Sequence, residues 1–415
     1  MISPDLLQAV DPEFGIVRRV SEHRRLPGEL PVHIFSAELS DTSVFSPARA
    51  GPQCGGAGLS KASAVGAAVG EALERYCLGW NQHSSWIVGS REQLQPHACD
   101  LSVLPNKKGG RDQIADQDVL DWIVGWSHKQ DRRVLIPANL VNVPYVALGG
   151  HYISKPISSG AALASSLRDA LARGLLEVVE RDAFMLWWLQ RAEAVPIPPE
   201  VIEASGTSAI VNSARRQGLR CYVLLLPEGF GATVVCAICR SSTPAQGPSL
   251  SIGAAARFDV KSAVEKAVVE MAHTRAWQLG MMRARDWDTS FQKTDIMEIS
   301  DHPRLWTYFK ADEELWFEKS EQVSLSCAAR CPSSYEELLQ NLHNGGFEVL
   351  SVDITTSDVR SLGAVVVRTI VPGLHPLEVG TMPHISSRLV EVLRAADLSL
   401  QDVRAAINPD PHPFP

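Results

Sequence analysis

Apolar and polar positions along this chain fall into two kinds of run. Three segments are apolar or small nearly throughout, with charges confined to a few helically spaced positions. The first, ASAVGAAVGEALERYCLGW, follows a glycine-rich loop, GPQCGGAGLS, whose Ser60 is placed to cap a helix running to about Leu78. The second starts near Ser165, contains ALARGLLEVVERDAFMLWWL and passes Trp188. The third starts at Asp259, another good cap, and reaches about Met281. The other runs are short and rich in β-branched residues, which predicts strands near Val134–Val146, Cys221–Leu226, Thr233–Cys239, Phe347–Ile354 and Gly363–Val371. The irregular alternation predicts one mixed α/β unit, helices packed on mixed sheets, rather than a regular doubly wound sheet. Residues 1–45 read as an irregular arm with a short apolar stretch around Val32 to Phe35, and 46–415 as one domain. No sustained period runs from Arg283 to Ser334, so no element is assigned there.

Composition adds exclusions. Apolar residues make up 45% and charged residues 21%, enough for a sizeable core. Asp and Glu (47) outnumber Lys and Arg (39), and the net charge of −8 argues against nucleic acid as the main partner. The start, MISPDLLQAVDPEFG, lacks the basic and apolar regions of a signal peptide, and no run approaches about 18 apolar residues. A soluble cytoplasmic protein without membrane segments is expected. The eight cysteines are then expected to be reduced. Cys236 and Cys239 have CxxC spacing, and with Cys327 and Cys331 they make the ligand count of a zinc site. However, ATVVCAICRS reads as a buried strand, which spoils the first pair as a metal knuckle.

The chemistry sits on the three helical segments. The first carries Glu71-Ala-Leu-Glu74-Arg75, the second Glu177-Val-Val-Glu180-Arg181, the third Glu270-Met-Ala-His273-Thr-Arg275. At about 100° per residue, Glu71 and Glu74 fall about 60° apart, and Asp169, Arg173, Glu177, Glu180 and Arg181 share an arc of about 120°. Lys266, Glu270 and His273 form one stripe on the third. A solvated face with i,i+4 ion pairs is the ordinary meaning of such a pattern. These helices are otherwise too apolar for a surface position, and buried acids need partners or metals. Four converging glutamates suit a hard cation such as Mg²⁺, which commonly sits between carboxylates and nucleotide phosphates. Arg75, Arg181 and Arg275 have the chemistry to clamp phosphate oxygens. No Walker-type or kinase signature is present, so any ATP would be held without a P-loop.

At these residues the chain resembles the YcaO family. The segments GGAGLSKASAVGAAVGEALERY, ISSGAALASSLRDALARGLLEVVERDA and SIGAAARFDVKSAVEKAVVEMAHTR are similar to the family's three ATP/Mg²⁺ elements, in the same order. VVVRTIVPGL resembles a strand and turn near the family's C-terminal end. The resemblance implies a YcaO-type fold, Mg²⁺ bound by Glu71, Glu74, Glu177 and Glu180, and nucleotide contacts from Ser165, Asp169, Arg181, Glu270, His273 and Arg275. Ala57, Ala67, Ser159 and His273 depart from the residues frequent at their positions, which weakens the nucleotide contacts but leaves all four magnesium carboxylates.

The sequence closes on NPDPHPFP, and Pro411, Pro413 and Pro415 form a PxPxP pattern that resembles azoline-forming members of the family. Alternating prolines stiffen a chain and leave it little entropy to lose. Such a tail is expected to thread into the site and bring a carboxylate at Pro415 to the reacting peptide, while contributing few core contacts. The implied activity is ATP-dependent cyclodehydration of Cys, Ser or Thr in a ribosomal precursor peptide. The implied partners are a ThiF-like protein that grips the leader peptide and a flavin-dependent dehydrogenase that oxidises azolines. Thioamide or amidine formation at the same ATP site, or a non-catalytic role in a complex, are the alternatives.

Overall fold

Among the described residues, three antiparallel sheets and three long helices build the fold, and each long helix follows directly on a strand. The computed structural model describes residues 4–44, 46–47, 49–80, 85–100, 114–284, 290–311, 313–319, 334–380, 385–393 and 400–414. In chain order the elements begin with β1 (Val17–His23), β2 (His33–Leu39), β3 (Gln53–Gly58), α1 (Lys61–Gly79), β4 (Ile87–Ser90) and α2 (Arg91–Leu94). Next come β5 (Val119–Ser127), β6 (Arg132–Pro137), β7 (Ala161–Ala164), α3 (Leu167–Gln190), β8 (Val195–Pro196), α4 (Pro199–Ala204) and α5 (Ser208–Arg216). Then follow β9 (Arg220–Leu225), β10 (Thr233–Arg240), β11 (Leu250–Arg257), α6 (Val260–Arg283), α7 (Asp301–Leu305) and α8 (Tyr335–Asn344). The last are β12 (Leu350–Asp353), α9 (Ser357–Ser361), β13 (Val365–Ile370), α10 (Ser387–Val392) and α11 (Leu400–Ala406). The sheets run β1-β2-β3, β4-β5-β12-β13-β7 with β6 also on β5, and β11-β10-β9-β8.

The echo between the three helical segments is a spatial repeat. Two residues separate β3 from α1, β7 from α3 and β11 from α6. The second of the two caps the helix: Ser60 accepts from the Ser63 N–H, Ser166 from Asp169 and Asp259 from Ser262. Each helix packs on its own strand and also on the strand of the next unit, α1 on β7, α3 on β11 and α6 on β3. The three strand–helix units therefore close into a ring, with equivalent positions of the three helices facing its middle.

Close packing in this ring depends on small residues. A Cβ on Gly56 would lie 2.1 Å from the Ala68 backbone nitrogen and 2.5 Å from the Ala64 carbonyl oxygen. Backbone atoms in mid-helix cannot give way, so β3 would be forced off α1. Gly56→Ala is expected to destabilise the protein by about 1–3 kcal/mol or more, read as a fall in urea midpoint with an unchanged slope. The same requirement makes the three strands small: QCGGAG, AALA and LSIGAAAR. They lack the β-branched runs that announce a strand, which is why the sequence reading passed over them.

The strands expected near 134–146 and 347–354 are shorter, ending at Pro137 and starting at Leu350, and the other three lie close to their expected bounds. Residues 1–45 differ more. They are not an irregular arm, because β1 and β2 form a sheet with β3 and enclose Phe35, Ala37 and Leu39 against α1. Part of the unassigned stretch after Arg283 also contributes to the core. Trp306 and Phe317 are 0% and 1% exposed, beside Trp187 and Trp188 of α3. Cys236 and Cys239 are buried on β10 as free thiols, whereas Cys327 and Cys331 lie outside the described residues.

Candidate active site

Glu71, Glu177 and Glu270 are each the eleventh residue of their helix, ten positions after Lys61, Leu167 and Val260. Glu74, Glu180 and His273 follow three residues later and reach across to the neighbouring unit. Glu74 Oε1 accepts the Leu163 N–H of β7 at 2.7 Å, and Glu180 Oε2 accepts the Ala256 N–H of β11 at 3.0 Å. The His273 ring packs on Gly55 of β3, where an added Cβ would meet Cε1 at 2.9 Å. Glu71 Oε2 accepts the N–H of that same glycine at 3.1 Å. The ring of units thus turns one sequence echo into a ring of acids.

Their electrostatics confirm the crowding. Burial, opposed by the Leu163 hydrogen bond and reinforced by Glu177 and Glu71, pushes the Glu74 carboxyl up to about 8. Burial also pushes Glu180 up to about 7, with Arg181 opposing and Glu270 and Glu177 adding. Burial drives the His273 imidazole down to about 4, despite the pull of Glu270. Buried carboxyls that raise one another in this way ionise together only at a cost that a nearby cation lowers. Arg181 Nη2 stands 3.5 Å from Glu177 and 3.6 Å from Glu180, while Arg75 pairs with Glu71 at 2.5 Å and Lys266 with Glu270 at 3.2 Å. Among the described residues no three His, Cys, Asp or Glu side chains are grouped to hold one ion. Mg²⁺ bound with a nucleotide commonly takes one or two carboxylates per ion and completes its shell with phosphate oxygens and water. Arg181 keeps Nε and Nη1 without partners although both are buried. Spare arginine donors beside excess carboxylates fit a magnesium–nucleotide complex, whose phosphates accept from one and whose metal binds the other.

The remaining expected contacts divide. Ser165 and Asp169 lie exposed at the start of α3, and the Asp169 carboxylate accepts from the Ser166 hydroxyl at 2.7 Å. Arg75 also donates to the Gln53 carbonyl at 2.9 Å. Arg275 is not brought to the acids. It is 0% exposed on another side of α6, donating to the Gln246 carbonyl and to Ser241. Two positions after His273, it is rotated by about 200° around the helix.

The closing segment threads inward. Asn408, Asp410, His412 and Phe414 are 2%, 6%, 3% and 1% exposed. Trp188 Nε1 donates to the Asp410 carbonyl and Trp306 Nε1 to the Pro411 carbonyl, both at 2.8 Å. The His412 ring stacks on His302 at 3.8 Å, and Lys293 and Lys310 clamp the Asp410 carboxylate at 2.7 and 2.8 Å. Phe414 lies edge-on to Phe184, and the Arg181 guanidinium sits 4.0 Å above its ring. Pro411 and Pro413 are buried with their neighbours, and Pro415 lies outside the described residues. The expectation of few core contacts is overturned: this segment is part of the main core, because its aromatic residues fill space between α3 and α7.

One arginine escaped the sequence reading. Arg368 on β13 is 5% exposed, gives Nε to the Leu140 carbonyl and Nη2 to the Ile157 carbonyl, and keeps Nη1 without a partner. Burial lowers its pKa to about 10, opposed by Glu177. The signal was an arginine in the otherwise apolar strand VVVRTI.

Residues 55–375 match the model of the family described as YcaO cyclodehydratase, ATP- and Mg²⁺-binding. The chain therefore belongs to the YcaO cyclodehydratases, a family of ATP- and Mg²⁺-dependent enzymes. An uncharacterized protein of Methanothermobacter thermautotrophicus is 25% identical over 326 residues, 78% of this chain and 82% of that one. Among solved structures, a heterocyclase in complex with substrate and cofactor gives a TM-score of 0.77 at 20% identity, covering all of this chain and 57% of the other. YcaO from Methanopyrus kandleri bound with AMPPCP and Mg²⁺ gives 0.59 at 20%, covering 89% and 90%. A chain of the E. coli microcin synthetase McbBCD complex gives 0.62 at 16%, covering 95% and 96%. This chain thus spans little more than half of the first heterocyclase, and at these identities the likeness is one of fold. Among the described residues, no helix is long and apolar enough to cross a membrane.

Proposed function

We propose that this chain is the ATP-using subunit of a peptide cyclodehydratase that forms thiazoline or oxazoline rings at Cys, Ser or Thr of a ribosomal precursor peptide. The observation that carries the reading is Arg181, which joins the ring of acids to the buried proline-rich segment through Glu177 and Glu180 on one side and Phe414 on the other. In the reaction, a substrate thiol or hydroxyl adds to the carbonyl carbon of the preceding residue. The former carbonyl oxygen accepts the γ-phosphoryl group and leaves as phosphate, and the amide nitrogen gives up its proton as the C=N bond forms. Mg²⁺ neutralises phosphate charge when bound.

Glu71, Glu74, Glu177 and Glu180 share the Mg²⁺ ions that accompany the nucleotide in this reading, one or two carboxylates to each ion. Arg181, Arg75, Glu270 and His273 beside the acids, and Ser165 and Asp169 at the start of α3, contact the nucleotide in this reading. The 411–415 segment reaches towards the reacting peptide and helps to orient it. A ThiF-like partner supplies leader binding, and a flavin dehydrogenase completes azole formation. One observation supports a heteromeric assembly. The microcin synthetase neighbour is a chain of a complex, covered to 96% by this chain, and the same complex has been seen with pro-MccB17 bound. The test is to mix the purified chain, its partner, Mg²⁺·ATP and a Cys/Ser-rich precursor. Phosphate release matched by loss of one water per ring is expected. Exchange of oxygen for sulfur without water loss would replace this reading with thioamide formation.

A further inference from the structure

A cavity of about 110 Å³ lies beside the ring of acids, on the flank of α3 that faces β13. Val178 and Arg181 of α3, Arg368–Ile370 of β13 and the chain around Ile157 and Leu374–Leu377 line it. Helical spacing places Val178 and Arg181 about 60° apart, clear of the Glu180 direction that faces β11. The carboxylates and the cavity thus occupy adjoining sides of α3, with Arg181 at the border.

The lining has an uneven chemistry. Its walls are mostly apolar, from Leu140, Ile157, Val178, Val371, Leu374 and Leu377, and none of the described residues that line it is Asp or Glu. Yet its side chains hold an excess of hydrogen-bond donors. Arg368 Nη1 and Asn139 Nδ2 are buried without partners, apart from the two spare donors of Arg181 at the border that suit phosphates. Arg368 is also fixed: its two bonds to the Leu140 and Ile157 carbonyls pin both walls to β13. Buried donors left unpaired are costly, so the cavity is suited to a ligand that brings an acceptor and an apolar group together. A phosphate brings acceptors without an apolar group. A peptide residue brings both, as a carbonyl oxygen and a side chain.

We propose that this cavity is the subsite for the substrate residue whose carbonyl is attacked, taking its apolar side chain, with Arg368 donating to its carbonyl oxygen. This rests on the cyclodehydratase reading and adds a specificity to it: an apolar residue is preferred immediately before the reacting Cys, Ser or Thr. The side chain anchors the peptide on one side of α3 while the attacked carbonyl points to the border where Arg181 meets the acids.

The test measures binding directly, with the tetrapeptides acetyl-Ala-Leu-Cys-Gly-amide and acetyl-Ala-Gly-Cys-Gly-amide and, separately, with AMPPCP and Mg²⁺. The wild-type protein is expected to bind the Leu-Cys peptide on the order of tenfold more tightly than the Gly-Cys peptide. Ser154→Trp fills the cavity without removing a core side chain. It is expected to bring the ratio to about one with AMPPCP binding unchanged. Arg368→Gln is expected to weaken both peptides, with AMPPCP again unchanged. Equal binding of the two peptides by the wild type, or an unchanged ratio in Ser154→Trp, overturns the subsite. Loss of peptide discrimination on saturation with AMPPCP reassigns the cavity to the nucleotide and also overturns it. Failure of AMPPCP and Mg²⁺ to bind the wild type counts against the cyclodehydratase reading, so the two failures are separable.

Discussion

Glu177→Gln is expected to reduce ATP-dependent ring formation by on the order of 100-fold or more, with no loss of folded stability. Glu177 is the acid through which the ring is connected: it acts on Glu74, on Glu180 and on Arg368, and it pairs with Arg181. Glutamine preserves its shape but removes the charge that holds a metal and orients Arg181. Without ligand, removing one of several crowded carboxylates relieves repulsion, so the thermal midpoint is expected to stay level or rise by a few degrees. Mg²⁺ with AMPPCP gives the opposite contrast, because a ligand that binds only the folded state raises its stability. The wild type is expected to gain several degrees and the variant little. Cyclisation at the parent rate would make Glu177 structural. An unchanged stabilisation by Mg²⁺ and nucleotide would move the metal away from it.

The legibility of this ring in the sequence was uneven, for physical reasons. The three long helices announced themselves because each has a side-chain cap and a long apolar run, at Ser60, Ser166 and Asp259. The sequence reading placed the second start at Ser165, one residue from its cap. The acids stood out because they were the few charges on faces otherwise committed to burial. The strands that carry those helices were hidden by the same packing, since Gly56 and Gly253 are small to let a helix approach, and that removes the β-branched signal. Arg275 illustrates the limit of pattern alone. It shares the acid-then-arginine echo with Arg75 and Arg181, but stands five residues after Glu270 instead of four after Glu71 and Glu177. That one-residue difference turns it away from the acids into contact with Gln246 and Ser241. Arg368 shows the converse, since a single arginine in a short strand gains its meaning only from the loops it pins.

The buried closing segment can be tested without cutting it. Deleting residues 412–415 would remove Phe414 and the stacked His412 together, and so would confound a loss of core with a loss of chemistry. Phe414→Leu separates them. Leucine fills much of the same space against Phe184 but offers no ring face to Arg181, whose guanidinium lies 4.0 Å above the phenyl ring. The expected stability cost is about 1–2 kcal/mol, from lost contact area and the lost aromatic pair. Cyclisation is expected to fall further than that cost explains, by on the order of 10- to 100-fold, because a displacement of about 1 Å in a group that orients substrate has effects of that size. Phe414→Tyr keeps the ring beneath Arg181 and is expected to restore most of the rate. Phe317→Leu supplies the matched control. It removes another buried ring, 1% exposed and packed on Trp187, at a comparable cost in stability. Phe317 packs on Trp187, Tyr222 and Trp316 rather than beneath the Arg181 guanidinium, so the rate of Phe317→Leu is expected to stay near that of the parent. Equal loss of rate in Phe414→Leu and Phe317→Leu would return the segment to a packing role, and would leave Arg181 to be oriented by Glu177 and Glu180 alone.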